Sequence, residues 1–351
     1  MTAMLPVPPI RPRRLAPGDT VAVLSPSWGG PAVFPHVFDH GLAVLRDWGL
    51  RVREYPSTRA ERHDPARDPR ARAADVNAAF ADPGVAGIIA SIGGDDAIRL
   101  LPFLDGDVIA ANPKLLMGYS DTTVLLAAVR RMGIVTFHGP SVMAGLSQLD
   151  ALPRAYRDHV RAMLFEPAAG QRYAPYDVFV DGYADWDDPA FVGAVAALQP
   201  ADGPRTLQGA GRVTGELFGG CLEVLDWIRG TWAWPVADEW DGRLLMIEPS
   251  EEQPSPDQVT RILRSFGALG VFERVVGLLI GRARDHLPLE TAAFHAAIIG
   301  VVAGELGRPD LPILAELPFG HTDPQWVLPL GVRAELDADA GTLALVEPWL
   351  A

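Results

Sequence analysis

The chain has 351 residues, which exceeds one ordinary hydrophobic core and indicates two domains. Its composition, 48% hydrophobic and 21% charged, is typical of a folded protein and argues against a disordered one. The net charge of −14 argues against a nucleic-acid partner, because phosphate binding needs a basic face.

The sequence also argues against a membrane span and a secretory signal. No segment reaches the ~20 apolar residues of a spanning helix, and the best candidate, residues 275–280, stops at Gly281. Residues 1–19 contain several prolines and lack the long apolar core of a signal peptide. The single cysteine, Cys221, excludes an intramolecular disulfide and fits a reducing cytoplasm. Three arginines cluster near the start of the sequence, namely Arg11, Arg13 and Arg14. We interpret this segment as a solvated tail instead of a basic binding patch.

The first 165 residues alternate between strand and helix patterns, which predicts a mostly parallel sheet with helices on its faces. Strands are predicted at residues 20–24, 51–54, 86–90, 115–117 and 135–138. Helices are predicted at 33–48, 70–81, from 97, and at 122–129. These elements form a predicted N-terminal α/β domain.

Residues 166–205 lack clear periodicity and contain prolines, aspartates and several aromatic residues, including Trp186. A stretch this long without regular structure is usually functional or a linker. Its aromatic side chains either face a ligand or pack the loop on the body, and the sequence favours neither.

Residues 206–351 form the predicted C-terminal domain, an α/β unit with a mixed sheet. Its predicted strands lie at 244–247, 275–280 and 313–317, its helices at 222–228, 256–266 and 291–306, and a hairpin at 332–346. The glycines of residues 209–215 superficially match a dinucleotide-binding loop. We reject that reading because the third glycine is one place late and no strand is predicted before it.

Ser120 lies on a predicted strand-to-helix turn, between the apolar run 115–117 and the helix after Asp121. Such a turn exposes a hydroxyl beside the free N–H groups of a helix start, which suits a nucleophile. The alternative is that Ser120 only caps the helix. Thr122 replaces the second glycine of the Gly-x-Ser-x-Gly elbow, which excludes that motif.

Like Ser120, Glu248 and His321 lie at the end of a predicted apolar strand or shortly after it. Ligands bind at the carboxyl ends of strands in such sheets, so the three side chains can combine as nucleophile, base and orienting carboxylate. Each residue alone also has a structural reading, as a core histidine or a salt-bridged carboxylate.

Weaker candidates accompany this set. His138 also follows a predicted strand and could line the same cleft. The favoured interpretation is a core histidine whose ring nitrogens are hydrogen-bonded. Asp285 and His286 lack a further spaced ligand, so no metal site is expected. Glu251 and Glu252 can contact a polar ligand, although a solvated loop is the default.

Four motifs resemble those of the murein tetrapeptide L,D-carboxypeptidase family of serine peptidases, in the family's order. They are the first strand at residues 17–23, the loop Ser91-Ile92-Gly93-Gly94 with 98–102, the nucleophile motif at 113–123, and the histidine segment at 320–331. The resemblance covers nearly the whole chain. It implies a site between two α/β domains, with Ser120, Glu248 and His321 as catalytic residues.

The resemblance further implies an oxyanion hole from the backbone N–H groups of Gly93, Gly94 and Asp121. It implies no metal or organic cofactor, no membrane partner, and a cytoplasmic homodimer. Two other classes stay open: a catalytically silent module that binds peptides or nucleotides, and a structural protein whose serine only caps a helix.

Two branches of the family have different substrates. One removes the terminal D-alanine of murein tetrapeptide, and the other, the microcin C self-immunity peptidases, cleaves an acyl bond between an aspartyl group and a modified nucleotide. The loop at 92–96 lacks the Arg-Gly-Gly-Tyr-Gly type associated with the murein branch, and residues 246–256 look like the immunity branch. By this resemblance, Trp186 stacks on the nucleobase and Glu251 contacts substrate. Cys221 departs from the asparagine expected in many relatives.

Overall fold

Two β-sheets organise the chain, and the computed structural model describes residues 8–351. Residues 1–7, part of the segment where no signal peptide is expected, lie outside the described residues. The N-terminal part contains β1 (Thr20–Leu24), α1 (Gly30–Val33), α2 (Pro35–Asp47), β2 (Arg51–Glu54), α3 (Pro69–Ala81), β3 (Gly87–Ala90), α4 (Gly106–Ala111), β4 (Leu115–Gly118), α5 (Thr123–Arg131), β5 (Thr136–His138) and α6 (Arg154–Phe165).

Two short strands, β6 (Val178–Phe179) and β7 (Gln199–Pro200), pair within the intervening segment. The C-terminal part contains β8 (Arg205–Gln208), β9 (Arg212–Cys221), α7 (Leu222–Ile228), β10 (Arg243–Glu248), α8 (Pro256–Ala268), α9 (Val271–Arg274), β11 (Gly277–Gly281), α10 (Pro288–Ile299), β12 (Ile313–Leu317), β13 (Leu328–Leu330), β14 (Arg333–Asp337) and β15 (Thr342–Leu345). Short 3₁₀ helices lie at Pro65–Arg67, Ala97–Phe103, Ser120–Thr122, Pro189–Phe191 and Ala237–Trp240, and a π-helical turn lies at Gly300–Glu305.

The first sheet has the strand order β13-β5-β4-β3-β1-β2. The strands from β5 to β2 run parallel, whereas β13 pairs antiparallel with β5. Both β3 and β4 are buried along their whole length, as in parallel sheets that are covered on both faces. The carboxyl ends of β1, β3, β4 and β5 therefore meet at one edge.

The second sheet has the order β15-β14-β9-β10-β11-β12-β8 and is mixed. Strands β9 to β12 are parallel, and β8, β14 and β15 join antiparallel. The predicted two-domain α/β fold is confirmed. The boundaries at residues 165 and 206 stay a prediction, and β13 joins the first sheet although it lies late in the chain.

One buried cluster contains side chains of both sheets. Val23 and Met117 of the first sheet belong to the same cluster as Leu217 and Leu244 of the second. Because packed interiors resist displacement, this shared core holds the two sheet edges in a fixed relation.

Proline accounts for two differences from the predicted helices. The helix predicted at 33–48 is interrupted at Phe34, since Pro35 has no N–H to continue the preceding turn. The helix predicted from Ala97 is a 3₁₀ helix that contains Pro102.

The first described residues pack on the body, so the expected solvated tail was wrong. Arg11 pairs with Glu347 at 2.9 Å and Arg13 pairs with Asp19 at 2.7 Å. Leu15 is buried. These arginines neutralise neighbouring carboxylates.

The glycine-rich segment at 209–215 connects two strands. Strand β8 does precede it, contrary to the expectation, but the chain continues into β9 instead of a helix. The strand–turn–helix order of a dinucleotide-binding loop is therefore absent from this segment.

Candidate active site

A cleft of about 1200 Å³ lies at the carboxyl edge of the first sheet. It is lined by residues from both halves of the chain and from the segment between them. Six of the eight predicted site residues line it: Gly93, Gly94, Ser120, Trp186, Glu251 and His321. The other two, Asp121 and Glu248, are fully buried behind the surface of the cleft.

Ser120 follows β4 on a turn that holds its backbone at φ +58°. This left-handed conformation costs a non-glycine residue roughly 1–3 kcal/mol, and such outliers cluster at functional sites. Gly118 permits the turn, because a Cβ at this residue would lie 2.7 Å from the Thr122 methyl group. The turn presents Ser120 to the cleft and continues through a 3₁₀ turn into α5.

Gly93 places backbone directly against Ser120. A Cβ at Gly93 would lie 2.7 Å from Ser120 Oγ and 3.5 Å from the Asp121 nitrogen. Gly94 has φ +144° and packs against Ser27. The backbone of Gly93 and the nitrogen of Asp121 therefore lie in the neighbourhood of the hydroxyl, whereas Gly94 faces Ser27.

We expect Gly93→Ala to reduce kcat by roughly 100-fold or more, the range for loss of an oxyanion donor, because the added methyl displaces Ser120 Oγ or the loop. Steady-state kinetics measure the loss, and circular dichroism checks folding. Gly230→Ala is the matched control, since no atom lies within 4 Å of a Cβ there. Unchanged turnover in Gly93→Ala would contradict a tight Gly93–Ser120 contact.

Asp121 has a structural side chain. It is buried, and its Oδ2 accepts a hydrogen bond from the Ala97 N–H at 2.8 Å. Burial raises the pKa of this carboxyl. The side chain thus connects the Ser120 turn to the 3₁₀ helix beginning at Ala97, and the oxyanion prediction concerns only the backbone N–H of Asp121.

His321 and Glu248 form a buried pair. His321 donates from Nδ1 to Glu248 Oε2 at 2.7 Å, and Glu248 ends β10. Gly320, at φ +99°, and Gly281 both pack closely on this carboxylate side chain. This pairing fixes the imidazole orientation and leaves Nε2 as the nitrogen that faces away from Glu248.

Glu251 contacts that second nitrogen. Its Oε2 lies 2.9 Å from His321 Nε2, although the angles do not suit a hydrogen bond, and its side chain is 55% exposed. We treat this contact as an ion pair that solvent partly screens. Glu251 therefore lies against the imidazole nitrogen that does not face Glu248.

The two carboxylates control the charge of His321. Burial lowers the pKa of His321, but Glu248 and Glu251 outweigh burial and raise this pKa to about 10. The contact with His321 conversely lowers the pKa of Glu251 to about 2. Sequence alone suggests the ordinary histidine pKa of roughly 6.5 for the base, whereas the contacts with Glu248 and Glu251 raise the pKa of His321 above that value.

We expect Glu251→Gln to move the acidic limb of the kcat/KM profile to lower pH, by about one unit or more. The substitution removes one charge that stabilises the imidazolium, so neutral His321 forms at lower pH. Glu248 remains, and buried Asp323 and Tyr119 also face the ring. A pH–rate series checks the shift, with Glu273→Gln on α9 as control; an unmoved limb would contradict a role of Glu251 at Nε2.

His138 is a core histidine, as the favoured interpretation expected, but neither of its ring nitrogens forms a hydrogen bond with the described residues. It is fully buried and outside the cleft, and its Nε2 lies 3.5 Å from the second oxygen of Glu248. Its ring contacts Tyr119 and Phe319 edge-on. His138 thus packs behind Glu248, a position that its place at the end of β5 partly signalled.

Asp323 is a buried carboxylate that sequence reasoning did not single out. It accepts hydrogen bonds from Tyr183 at 2.7 Å and Tyr156 at 3.2 Å, and burial raises its pKa. Its backbone also exchanges two hydrogen bonds with Val180. Asp323 therefore attaches the segment at 166–205 to the loop that carries His321.

Glu223 secures the loop after Glu248. It is buried near the start of α7 and accepts hydrogen bonds from the Ser250 hydroxyl at 2.5 Å and the Ser250 N–H at 3.1 Å. Ser250 directly precedes Glu251, so Glu223 helps to position the contact with His321. A charged residue in the otherwise apolar start of α7 was the available signal.

Aromatic residues of the segment at 166–205 pack on the body of the protein and also line the cleft. Tyr173 is buried and donates to the Val327 carbonyl at 2.9 Å, so it packs on the body. Trp186 is half-buried and lines the cleft. Tyr183 stacks on Trp186 with centroids 5.6 Å apart, and Phe34 meets the same indole edge-on at 5.6 Å.

Trp28 is a cleft-lining residue that sequence reasoning missed. It follows β1 and is 39% exposed. The available signal was its place after a buried strand, at the same sheet edge as Ser120.

Within residues 8–351, no group of three or more His, Cys, Asp or Glu side chains could hold a metal ion. In the same range, no helix is long and apolar enough to cross a membrane. Cys221 is a buried free cysteine whose N–H donates to Thr123 Oγ1 at 3.2 Å.

The comparisons with known proteins agree with this architecture. Models of the LD-carboxypeptidase N-terminal and C-terminal domains match residues 21–139 and 214–336. A putative carboxypeptidase of Streptomyces coelicolor is 35% identical over 350 residues, 97% of each chain. The microcin C7 self-immunity protein MccF of Escherichia coli is 27% identical over 347 residues, again 97% of each chain.

A solved structure of MccF in complex with aspartyl sulfamoyl adenosine has a TM-score of 0.85 and 27% identity, covering 98% of this chain and 100% of that one. The similarity therefore extends through both sheets and the segment between them. With both domain models matched and relatives aligned over nearly its whole length, the chain belongs to the LD-carboxypeptidase family of peptidases.

Proposed function

We propose that the protein is a serine hydrolase that cleaves the amide-type acyl bond of peptidyl- or aspartyl-nucleotides. The observation that carries this proposal is the buried His321–Glu248 pair at the cleft that Ser120 lines from a strained turn. Nucleophile, base and orienting carboxylate are then Ser120, His321 and Glu248.

Catalysis proceeds by acyl transfer. Ser120 Oγ attacks the carbonyl carbon while His321 Nε2 accepts the hydroxyl proton, and His321 then gives this proton to the leaving nitrogen. Water next attacks the ester on Ser120 while His321 accepts a proton from this water, and His321 then gives the proton to Ser120 Oγ as the acyl–oxygen bond breaks and the acid is released. Glu248 stabilises the imidazolium in both halves of the reaction.

The backbone supports the tetrahedral intermediates. The N–H groups of Asp121 and of the Gly93–Gly94 loop stabilise the oxyanion, the term that usually dominates acyl transfer. Glu251 must leave Nε2 before proton transfer, and substrate contacts with Glu251 favour that movement.

The nucleotide part of the proposal is supported by the size and lining of the cleft. About 1200 Å³ accommodates more than a small amino acid, and Trp186 offers an aromatic surface. MccF, which this fold resembles, is described as a self-immunity protein and has been solved with aspartyl sulfamoyl adenosine. A cytoplasmic homodimer remains the expectation from the family resemblance.

Parallel turnover of aspartyl sulfamoyl adenosine and murein tetrapeptide tests the substrate class. We expect efficient cleavage of the nucleotide and slow cleavage of the tetrapeptide. The reverse ranking would move the assignment to the murein branch, and no turnover of either would favour a binding module.

We expect Trp186→Ala to raise KM for the nucleotide about tenfold, because stacking on a base contributes ~1–3 kcal/mol and 1.4 kcal/mol is one decade. Cleavage of a base-free aspartyl amide should change much less. Equal losses on both substrates would leave Trp186 with only its packing role on Tyr183.

A further inference from the structure

Trp28 has an unusual placement for an exposed indole. It is 39% exposed, and the exposed part faces a concave, partly polar cleft instead of the convex surface. Single exposed hydrophobic residues are ordinary on protein surfaces, so exposure alone carries no conclusion. Trp28 differs from an ordinary exposed hydrophobic residue because neighbouring residues hold it in place.

Contacts on several sides hold Trp28 in place. Its backbone N–H donates to the Gly93 carbonyl at 3.1 Å, which links the main chain of Trp28 to the loop beside Ser120. Gly30 packs beneath the ring, since a Cβ there would lie 3.0 Å from two indole carbons. The preceding Ser27 carbonyl accepts hydrogen bonds from Arg67 and Arg72. The backbone around Trp28 is therefore anchored and one side of its ring is packed, which reduces the entropic cost of ordering this side chain on binding.

Phe34 connects Trp28 with Trp186. Its ring meets Trp28 edge-on with centroids 6.0 Å apart, and it meets Trp186 edge-on at 5.6 Å. Both indoles line the cleft. Tyr183 is stacked on Trp186 at an interplanar angle of 15°, so one face of Trp186 is already covered.

A planar ring can therefore stack only on the uncovered face of Trp186. Trp28, on the other side of Phe34, offers a second aromatic surface. We propose that Trp28 is the second aromatic contact of a subsite for a planar heteroaromatic base, lined by Trp28 and Trp186, with Phe34 packed edge-on against both indoles. This inference rests on the proposed function, because it assumes a substrate that carries a nucleoside.

The chemistry of the lining favours a base over an aliphatic group. Aromatic side chains bind any base through its π-face, with little sequence preference. Exposed Arg62 lines the same cleft and can supply positive charge for a phosphoryl group, although Asp95, Asp96 and Glu252 line the cleft as well. The ligand class is thus a nucleoside 5′-phosphate or its acyl conjugate.

Titration calorimetry with AMP tests the subsite in the Ser120→Ala background. We expect Trp28→Ala to weaken AMP binding about tenfold and Trp28→Phe to retain most of the affinity. Trp232→Ala is the matched control, because Trp232 is similarly exposed, at 44%, and lies outside the residues that line the cleft.

The outcomes separate this inference from the proposed function. If Trp186→Ala weakens AMP binding and Trp28→Ala leaves it within twofold, the Trp28 contact is wrong while the nucleotide-hydrolase proposal stands. If the Ser120→Ala protein does not bind AMP, the base subsite is overturned, and reactivity of Ser120 in the unsubstituted protein still decides the hydrolase chemistry. Equal weakening by Trp28→Ala and Trp28→Phe with a lowered melting temperature would assign Trp28 a structural role and overturn the proposal.

Discussion

Ser120→Ala is expected to lower kcat by roughly four to six orders of magnitude while the protein stays folded. Members of a nucleophile–base–carboxylate set act as a unit, so removal of the nucleophile abolishes the covalent route. Alanine keeps the Cβ that already packs against Gly93, which preserves the local fit. The left-handed backbone of the turn remains equally strained.

Steady-state kinetics with the nucleotide substrate measure the loss, and thermal melts check the fold. Ser265→Ala is the control, because Ser265 lies on the exposed side of α8 and its hydroxyl only donates to the Arg261 carbonyl. Near-normal turnover by purified Ser120→Ala would remove the nucleophile assignment and leave Ser120 as a helix cap.

Changes at His321 and Glu248 have the second largest expected effect. His321→Ala should be nearly as inactive as Ser120→Ala, because no other side chain is proposed to take the proton. Glu248→Gln should lose roughly 10³–10⁴ in kcat, since the amide keeps the shape but cannot stabilise the imidazolium or enforce its tautomer. Folding of both variants needs checking, because Glu248 is fully buried.

Nuclear magnetic resonance of the imidazole gives an independent reading of Glu248→Gln. Loss of this buried charge should lower the pKa of His321, because Glu248 is among the causes that raise it to about 10. Activity of Glu248→Gln within tenfold of the unsubstituted protein, together with an unchanged His321 pKa, would show that Glu248 does not orient the base.

Several elements could be predicted from local sequence because their signals are local. Strands β1 and β12 match their predicted bounds, since short apolar or β-branched runs end at turn residues. Strand β2 also matches its predicted bounds, although it has one apolar residue, Val52, among charged ones. Helix α6 was missed although its buried residues Tyr156, Val160, Met163 and Leu164 recur at helical spacing, so a local signal was present in the sequence. The pairing of β13 with β5 joins residues far apart in sequence, and no local pattern predicts such a partner.

The candidate site likewise contains features that local sequence predicts and features that depend on long-range contacts. Ser120, Glu248 and His321 each stand at a strand end, so their approximate location followed from the alternation of elements. The contact of Glu251 with Nε2, the position of His138 behind Glu248 and the exposure of Trp28 depend on how loops cross the sheet edge. These contacts join residues from separate segments, and single-sequence patterns do not encode their distances.

The most direct measurement of the central proposal is the intact mass of the protein after treatment with a small fluorophosphonate, followed by peptide mapping. We expect one adduct, located on Ser120, absent in Ser120→Ala and formed far more slowly in His321→Ala. An adduct on a different serine, or undiminished labelling of Ser120→Ala, would contradict Ser120 as the nucleophile.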